Sequence, residues 1–487
     1  MRRVLTIAQM REGDRYTIER LGIPEEDLIL RAGEALAGAI RKRFRGGRVL
    51  FVCGRGNNGK DGAAAAQSLA LSHGFQPDVF WVEQSSDGVF QGAYDIVVDC
   101  IFGIGLNRAP EGKYRAAIEA INASGAFVVA CDIASGMNAD TGFPMGAAVR
   151  ADMTVAIQEL KYGHLINDGI DYAGETVTAD IGISLWEDNY GYCLEREDIA
   201  AFFPDRARNV HKGMFGKSCL IGGSRAYSGA VLLAVQGAAA LKMGCGYVNL
   251  AVPAGLFDLY MGKVPECTMK YALPEENGEL ICDPAVLEEI CANSRAVAVG
   301  MGMGASDAVY SIVSYLIEHF PGVLVIDADA LNALSVHGIE ILKRRRGDVL
   351  LTPHVGEFSR LSGKSAEVIL NDPVGSARSF AAEHGVTVLL KSCVSVLTDG
   401  ERVCFNATGS SGMAKGGSGD VLSGFIVGLA ARGLDAFCAA SVGSWVMGKA
   451  GERAEKELTA YAMTPSEVVG KVGEVLRSLG REEGERK

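Results

Sequence analysis

Asp420 closes a glycine-rich run, Asn406-Ala-Thr-Gly-Ser-Ser-Gly-Met-Ala-Lys-Gly-Gly-Ser-Gly-Asp420, and leads into the apolar stretch Val421-Leu-Ser-Gly-Phe-Ile-Val-Gly-Leu-Ala at helical spacing. A glycine turn that opens a helix leaves backbone N–H groups unpaired and aims the positive end of the helix dipole at one point, which suits a phosphate. A carboxylate in the first turn beside such an anion hole is the minimum equipment for phosphoryl transfer to an alcohol. An N-capping aspartate also fits this place, but a cap does not call for glycine at 416, 417 and 419 together. More polar residues fall at predicted strand ends upstream: Gly300-Met-Gly302, Asp327-Ala-Asp329, Thr352-Pro-His354-Val-Gly-Glu357 and Lys391-Ser-Cys-Val-Ser395. At strand spacing only one of Asp327 and Asp329 faces a ligand. Glu357 opens a helix and acts through its dipole. His354 either fixes its loop by a backbone hydrogen bond or faces the ligand. Lys391 pairs with a phosphate or with neighbours of Asp420, in preference to a structural buried ion pair.

A second set of oxygen-bearing side chains lies in the first half. Asn57-Asn58-Gly59-Lys60-Asp61 follows the apolar run Arg48-Val-Leu-Phe-Val-Cys53, Asp99 ends Tyr94-Asp-Ile-Val-Val-Asp99, and Asp132-Ile-Ala-Ser135 follows Ala126-Phe-Val-Val-Ala-Cys131. In open α/β sheets ligands bind beyond the carboxyl ends of the strands. Gly54, Gly56 and Gly59 match a dinucleotide fingerprint formally, but Asn57, Asn58 and Asp61 put amides and a carboxylate where that fingerprint keeps small residues. Asn58, Asp99 and Ser135 offer oxygens from three strand ends, with no His or Cys among them. Such a set suits a hard cation and not a transition metal. Taken singly, Asn58 and Ser135 also fit as helix caps, and Asp99 as the pin of a turn.

Two series of apolar strands, each alternating with helical patterns, have to position these residues. The first is completed by Pro77–Val82, Met153–Ile157 and Glu175–Asp180; the second runs through Lys217–Gly223, Tyr247–Val252, Arg295–Gly300, Gly322–Asp327, Asp348–Pro353 and Val386–Lys391. Strands that are apolar on both faces and separated by helices predict parallel sheets with helices on each side. The polar, proline-bearing stretch Glu195–Asn209 reads as the junction, giving domains at 1–200 and 201–487. A net charge of −12 argues against nucleic acid or an anionic membrane as the main partner. The 12 cysteines form no C-x-x-C pair, and Cys53, Cys100, Cys131, Cys219 and Cys245 lie in apolar runs. They read as reduced core thiols of a cytoplasmic protein. No apolar run reaches membrane-spanning length, and the N-terminus lacks the apolar core of a signal peptide.

The motifs resemble those of two families. Asn-Asn-Gly-x-Asp-Gly, Asp-x-Ile-Phe-Gly-x-Gly-Leu and Asp-Ile-x-Ser-Gly-Met, preceded by Ala8-Gln-Met-Arg-Glu-Gly-Asp and Arg31-Ala-Gly-Glu, are similar in order and spacing to the NAD(P)H-hydrate epimerase domain. That resemblance implies a Rossmann-like domain. In it Asn57, Asn58, Gly59, Lys60 and Asp61, with Gly103, Ile104, Gly105, Leu106, Asn107, Arg108 and Ala109, contact hydrated NADH or NADPH. Asn58, Asp99 and Ser135 would hold potassium, and Asp132 would meet the substrate near the carbon to be epimerised; we take Asp132 as the acid/base group there. In the second half, His-Lys-Gly-x-x-Gly, Ile-Gly-Gly-Ser-x-x-Tyr-x-Gly-Ala, Asp-Ala-Asp-Ala-Leu-Asn, Thr-Pro-His-x-Gly-Glu and Met-Ala-x-Gly-Gly-Ser-Gly-Asp-Val-Leu resemble the ADP-dependent NAD(P)H-hydrate dehydratase, a ribokinase-like fold. By that resemblance Ala230, Gly302, His354 and Asp420 bind the hydrate, while Lys391, Ser392, Cys393, Val394, Ser395 and Gly419 bind the adenine nucleotide, with magnesium on its phosphates. The chain departs from the family patterns at Lys60, Ile104, Ala134, Val355, Ser392 and Ser410-Ser411.

The expected fold is therefore α/β, two three-layer αβα domains. The expected function is epimerisation of the R and S hydrates followed by ADP-dependent dehydration of the S form, in a cytoplasmic homo-oligomer. Two other readings compete with it. One is a vitamin or sugar kinase fused to a dinucleotide-binding domain, which would release a stable phosphorylated product. The other is an N-terminal domain that only binds or assembles.

Overall fold

The apolar runs become strands because the alternating side chains of each have a separate core to enter. A computed structural model describes residues 1–185, 189–236, 242–263, 267–276, 279–304 and 306–480. The chain divides into two compact units between Gly191 and Tyr192. That point lies just ahead of the Glu195–Asn209 stretch, whose Ile199 is fully buried in the C-terminal core. The N-terminal unit begins with β1 (Arg2–Leu5) and continues with β2 (Gly47–Cys53), β3 (Phe75–Trp81), β4 (Ile96–Cys100), β5 (Phe127–Cys131), β6 (Met153–Ile157), β7 (Leu160–Lys161) and β8 (Glu175–Ala179). Six of these form one parallel sheet in the order β3-β2-β4-β5-β6-β8. Along β2, Val49, Phe51 and Cys53 face the helices Glu25–Arg43 and Asn57–Ala70, while Leu50 and Val52 face the helix Gly112–Ala123. This period-two division of one strand between two cores is what makes the unit three-layered. The expected N-terminal helix pair is present as Ile7–Glu19 and Glu25–Arg43. Apart from the six-stranded sheet, β1 and β7 pair in parallel, with Val4 beside Leu160.

In the C-terminal unit β9 (Gly191–Cys193) is followed by β10 (Lys217–Gly222), β11 (Tyr247–Pro253) and β12 (Thr268–Leu273), then a two-residue pair, β13 (Glu275–Glu276) with β14 (Glu279–Leu280). The later strands are β15 (Ala296–Met301), β16 (Val323–Ile326), β17 (Asp348–Leu351), β18 (Thr387–Leu390), β19 (Ser395–Thr398) and β20 (Val403–Asn406). The main sheet runs β12-β11-β10-β15-β16-β17-β18-β19-β20-β9. Every neighbouring pair is parallel except β18–β19 and β19–β20. The helix Ser418–Arg432 is buried without a break from Val421 to Ala431, so the glycine loop ahead of it is anchored to the centre of the core. All 12 cysteines are unpaired, and the five read as core thiols are buried. Among the described residues no helix is long and apolar enough to cross a membrane.

Candidate functional sites at the strand ends of both units

The N-terminal unit has a cavity of about 500 Å³ at the carboxyl ends of β2, β4 and β5. Its wall contains Asn57, Asn58, Asp61, Gly103, Ile104, Gly105, Leu106 and Asp132, all singled out from sequence. Gly59, Lys60, Asn107, Arg108 and Ala109 are not in that wall. Gly59 instead has a packing duty, since a Cβ there would collide with the Gly54 carbonyl. Asp99 and Ser135 are brought together behind the cavity: Ser135 Oγ donates to Asp99 Oδ1 (2.6 Å) and Ser135 N to Asp99 Oδ2 (2.7 Å). Burial, against those hydrogen bonds, pushes Asp99 up to about 6. Asn58 is not a cap, since Gly56 holds the N-cap position of its helix. Neither amide atom of its buried side chain has a hydrogen-bond partner. A buried polar group in that condition is costly unless something else ligates it.

Asp132 sits at the end of β5 with a φ of 68°, left-handed for a residue that carries a Cβ. Its Oδ1 receives Lys161 Nζ at 2.5 Å and its Oδ2 receives Ile104 N at 3.3 Å. Burial alone would raise its pKa, but the adjacent Lys161 ammonium holds it below the usual carboxylate range. Nearby carboxyls go the other way. Burial, with Asp132 and Asp14 adding to it, pushes Asp61 up to about 8; burial and Asp132 push Asp14 up to about 6. Sequence reasoning missed Lys161, Asp14 and Glu25, which all line the cavity, the last also accepting from Asn57 Nδ2 at 2.6 Å. The usable signal for Lys161 was its place just past β6, by the same strand-end rule that found Asp99 and Asp132. His164, also missed, accepts Lys161 N at Nδ1 (2.9 Å) and so donates from Nε2 to the Asp132 carbonyl (2.7 Å). Burial, with Lys161 beside it, lowers His164 to about 4, which keeps the ring neutral.

In the C-terminal unit the glycine loop opens its helix as expected. Gly417 is the N-cap at φ 95°; Ser418 N donates to the Lys415 carbonyl (3.3 Å), and no side chain caps the amides of Gly419 and Asp420 that follow. Asp420 lies in the first turn and makes no capping bond. Burial and then Asp327 push its carboxyl up to about 7, Lys391 opposing and Asp329 adding. Asp327 and Asp329 do not alternate along a strand: β16 stops at Ile326, and Asp329 is in the first turn of the helix Ala328–His337. Asp329 accepts from Gly304 N (2.8 Å), whereas Asp327 accepts from Lys391 Nζ (3.0 Å) and Ser423 Oγ (2.8 Å). Lys391 is thus ion-paired with a neighbour of Asp420, one of the two partners expected from sequence, with the aspartate buried and the lysine partly exposed. Gly419 joins this group, because a Cβ there would stand 3.3 Å from Lys391 Nζ. His354 caps the helix Val355–Ser362, its Nδ1 accepting from Gly356 N (3.0 Å) and Glu357 N (3.3 Å), and Glu357 Oε2 accepts from His354 N (2.8 Å). The loop-fixing role is therefore real, and the ring's other nitrogen is left as the donor. Gly302 abuts Ala230, whose Cβ would be 2.8 Å from one placed on Gly302. In the loop Lys391–Ser395, Ser392 and Cys393 are exposed, Val394 is buried and Ser395 begins β19. Lys415, the one lysine of the glycine run, is spent on structure, donating to the carbonyls of Ala460, Tyr461 and Met463.

Comparison with known proteins assigns a family to each unit. A family model described as NAD(P)H-hydrate dehydratase matches residues 218–472, and one described as YjeF-related protein N-terminus matches residues 25–92 and 80–163. The chain is 34% identical to the bifunctional NAD(P)H-hydrate repair enzyme Nnr of Moorella thermoacetica, over 98% of this chain and 97% of that one. It is also 34% identical to the enzyme of that name from Thermofilum pendens, over the same shares. Among solved structures, the ADP/ATP-dependent NAD(P)H-hydrate dehydratase of Bacillus subtilis, co-crystallized with ATP and Mg2+, is 26% identical with a TM-score of 0.50, covering 60% of this chain and 99% of its own. A ribokinase-like superfamily protein of Enterococcus faecalis, 21% identical with a TM-score of 0.51 over 61% of this chain and 99% of its own, shares the fold.

Proposed function

Because the chain belongs to the family of bifunctional NAD(P)H-hydrate repair enzymes, we propose that each unit carries one of two successive activities. The N-terminal unit epimerises the R and S hydrates of NADH and NADPH, and the C-terminal unit dehydrates the S form with ADP. The observation that carries the second assignment is Asp420, a carboxyl poised near neutrality in a helix first turn whose amides at Gly419 and Asp420 no side chain caps.

The hydrate has a hydroxyl at C6 of the reduced ring, and hydroxide is a poor leaving group. Asp420 takes the hydroxyl proton as the oxygen attacks the β-phosphorus of ADP, and AMP departs. The helix amides hold the transferred phosphoryl group. The C6–O bond then breaks, phosphate leaving with the electron pair while the ring nitrogen pushes and C5 loses a proton. NAD(P)H, AMP and phosphate result. Ala230, Gly302 and His354 bind the hydrate; Lys391 to Ser395 and Gly419 take the nucleotide, with magnesium screening its phosphates when bound. The kinase reading is not favoured, since the curated relatives span both units and share the repair-enzyme name.

In the N-terminal unit C6 is bonded to both the hydroxyl and the ring nitrogen, so inversion needs one of those bonds opened. Asp132, kept ionised, takes the hydroxyl proton; the C6–N1 bond breaks towards nitrogen, which takes a proton from neutral Asp61. Reclosure on the other face of the C6 aldehyde inverts the centre. Two carboxyls whose environments separate their pKa values are suited to such a base and acid. Asn58, with its unpartnered buried amide, fits an oxygen-ligated cation, and with Asp99 and Ser135 would hold potassium, which supplies fixed positive charge beside the substrate. We take the protein as a cytoplasmic homo-oligomer, the size of which light scattering would give. The functional test is absorbance in the reduced-nicotinamide band when S hydrate is mixed with protein and ADP. Recovery of the band with AMP and phosphate supports the reading, and a stable phosphorylated hydrate overturns it.

A further inference from the structure

Lys161 has no exposed surface (0 %), and an ammonium out of water is costly unless a carboxylate and other acceptors take its protons. Its Nζ has both, at 2.5 Å from Asp132 Oδ1 and 2.7 Å from the Ile157 carbonyl. Its backbone belongs to a hydrogen-bonded strand pair, β7 with β1, so the lysine is carried by a ladder and not by a loose loop. It also lines the N-terminal cavity.

Asp132 is clamped from its other sides. Its N–H donates to Val155 O (2.8 Å) and its carbonyl accepts from His164 Nε2 (2.7 Å). A left-handed φ at a residue with a Cβ persists only where the surroundings impose it. With Oδ1 neutralised by Lys161, Oδ2 is turned towards Gly103, where a Cβ would lie 2.9 Å from it and 3.5 Å from Asn58 Oδ1. Around Asp132 stand Asp14 on the first helix, Glu25 on the second, Lys60 and Asp61 on the third, and Lys161 and His164 past β6. Of the cations that line the cavity, Arg11, Arg55 and Lys161, Lys161 is, among the described residues, the one in an ion pair, and its partner is Asp132.

We propose that Lys161 is the positioning residue of the N-terminal reaction, pairing with Asp132 among the carboxyls of the cavity and aiming its Oδ2 at the substrate. This rests on the assignment of Asp132 as base, made above. The test is the pH profile of R-to-S interconversion by the full chain and its variants. Lys161→Met is expected to lower kcat at neutral pH by about 100-fold, with KM little changed. Its acid limb is expected to move up by more than about one pH unit, because burial then acts on Asp132 unopposed. Lys161→Arg keeps the charge and is expected to leave the limb in place. Its kcat falls partly, since a planar fork does not reproduce a point ammonium. Lys161→Gln, which keeps a donor without the charge, replaces the methionine variant if thermal melting shows that the latter does not fold. A neutral variant with the original limb and kcat overturns the inference, as does an arginine variant whose limb moves as far as the neutral one. Asp132→Asn separates the two layers. If it keeps the original rate, the base assignment itself fails; if it is inactive while Lys161→Met is unaffected, only the role of Lys161 fails.

Discussion

Each unit sets an aspartate near a lysine that is held in an ion pair, yet the two lysines do opposite things. In the N-terminal unit Lys161 pairs with Asp132 itself and holds that carboxyl down. In the C-terminal unit Lys391 pairs with Asp327, and Asp420 stands next to the pair with its carboxyl pushed up to about 7 by burial and Asp327. A side chain's sequence neighbours do not set its protonation; what sets it is whether the cation contacts it or contacts the residue beside it. The first arrangement yields a group ionised over the whole neutral range. The second yields one that can both take and return a proton near pH 7.

The comparison is broken most severely at Asp420. Asp420→Ala is expected to lower ADP-dependent dehydration by about 1,000-fold, within the usual range for a lost general base, while R-to-S interconversion stays within twofold. Equal loss of both activities in parallel assays would show that the sites are not separate. Removing the neighbour sharpens the point. Asp327→Asn withdraws a negative charge and frees Lys391, so the acid limb of dehydration moves down from near pH 7 by about one unit; a limb that rises instead would contradict the charge arrangement. On the other side, Asn58→Ala is expected to raise the potassium concentration for half-maximal epimerisation about tenfold, the low end of what disturbing a metal site costs. An unchanged potassium titration would remove Asn58 from that site. The smallest effect is on the frame. Gly417→Ala forces a Cβ into φ 95° and against Leu233, costing about 1–2 kcal/mol for the left-handed backbone alone, as read by denaturant unfolding.

Much of this was legible in the residues, for physical reasons. Strands such as Val49–Cys53 and Ala296–Met301 are apolar on both faces, as a central parallel strand covered by helices on each side has to be. The strands that escaped are short or lie in polar context: β7 has two residues, and β19 and β20 have four each. The glycine loop and its aspartate were visible because an anion hole needs a particular backbone. Lys161 carried a weaker signal: its place past β6 marks it by the strand-end rule, but a lysine after Leu160 also reads as a solvated strand end, and its burial is decided by a carboxylate 29 residues earlier. Asp327 and Asp329 were misjudged for a related reason: the end of β16 is set by the helix cap that follows, which strand periodicity does not register.

The contrast between the two aspartates is tested most directly by measuring kcat/KM against pH for both reactions on the same unmodified protein. Dehydration with ADP is predicted to lose rate below about pH 7, where Asp420 takes up its proton, while epimerisation persists well below that pH on an Asp132 held ionised. Acid limbs that coincide for the two reactions would contradict the account.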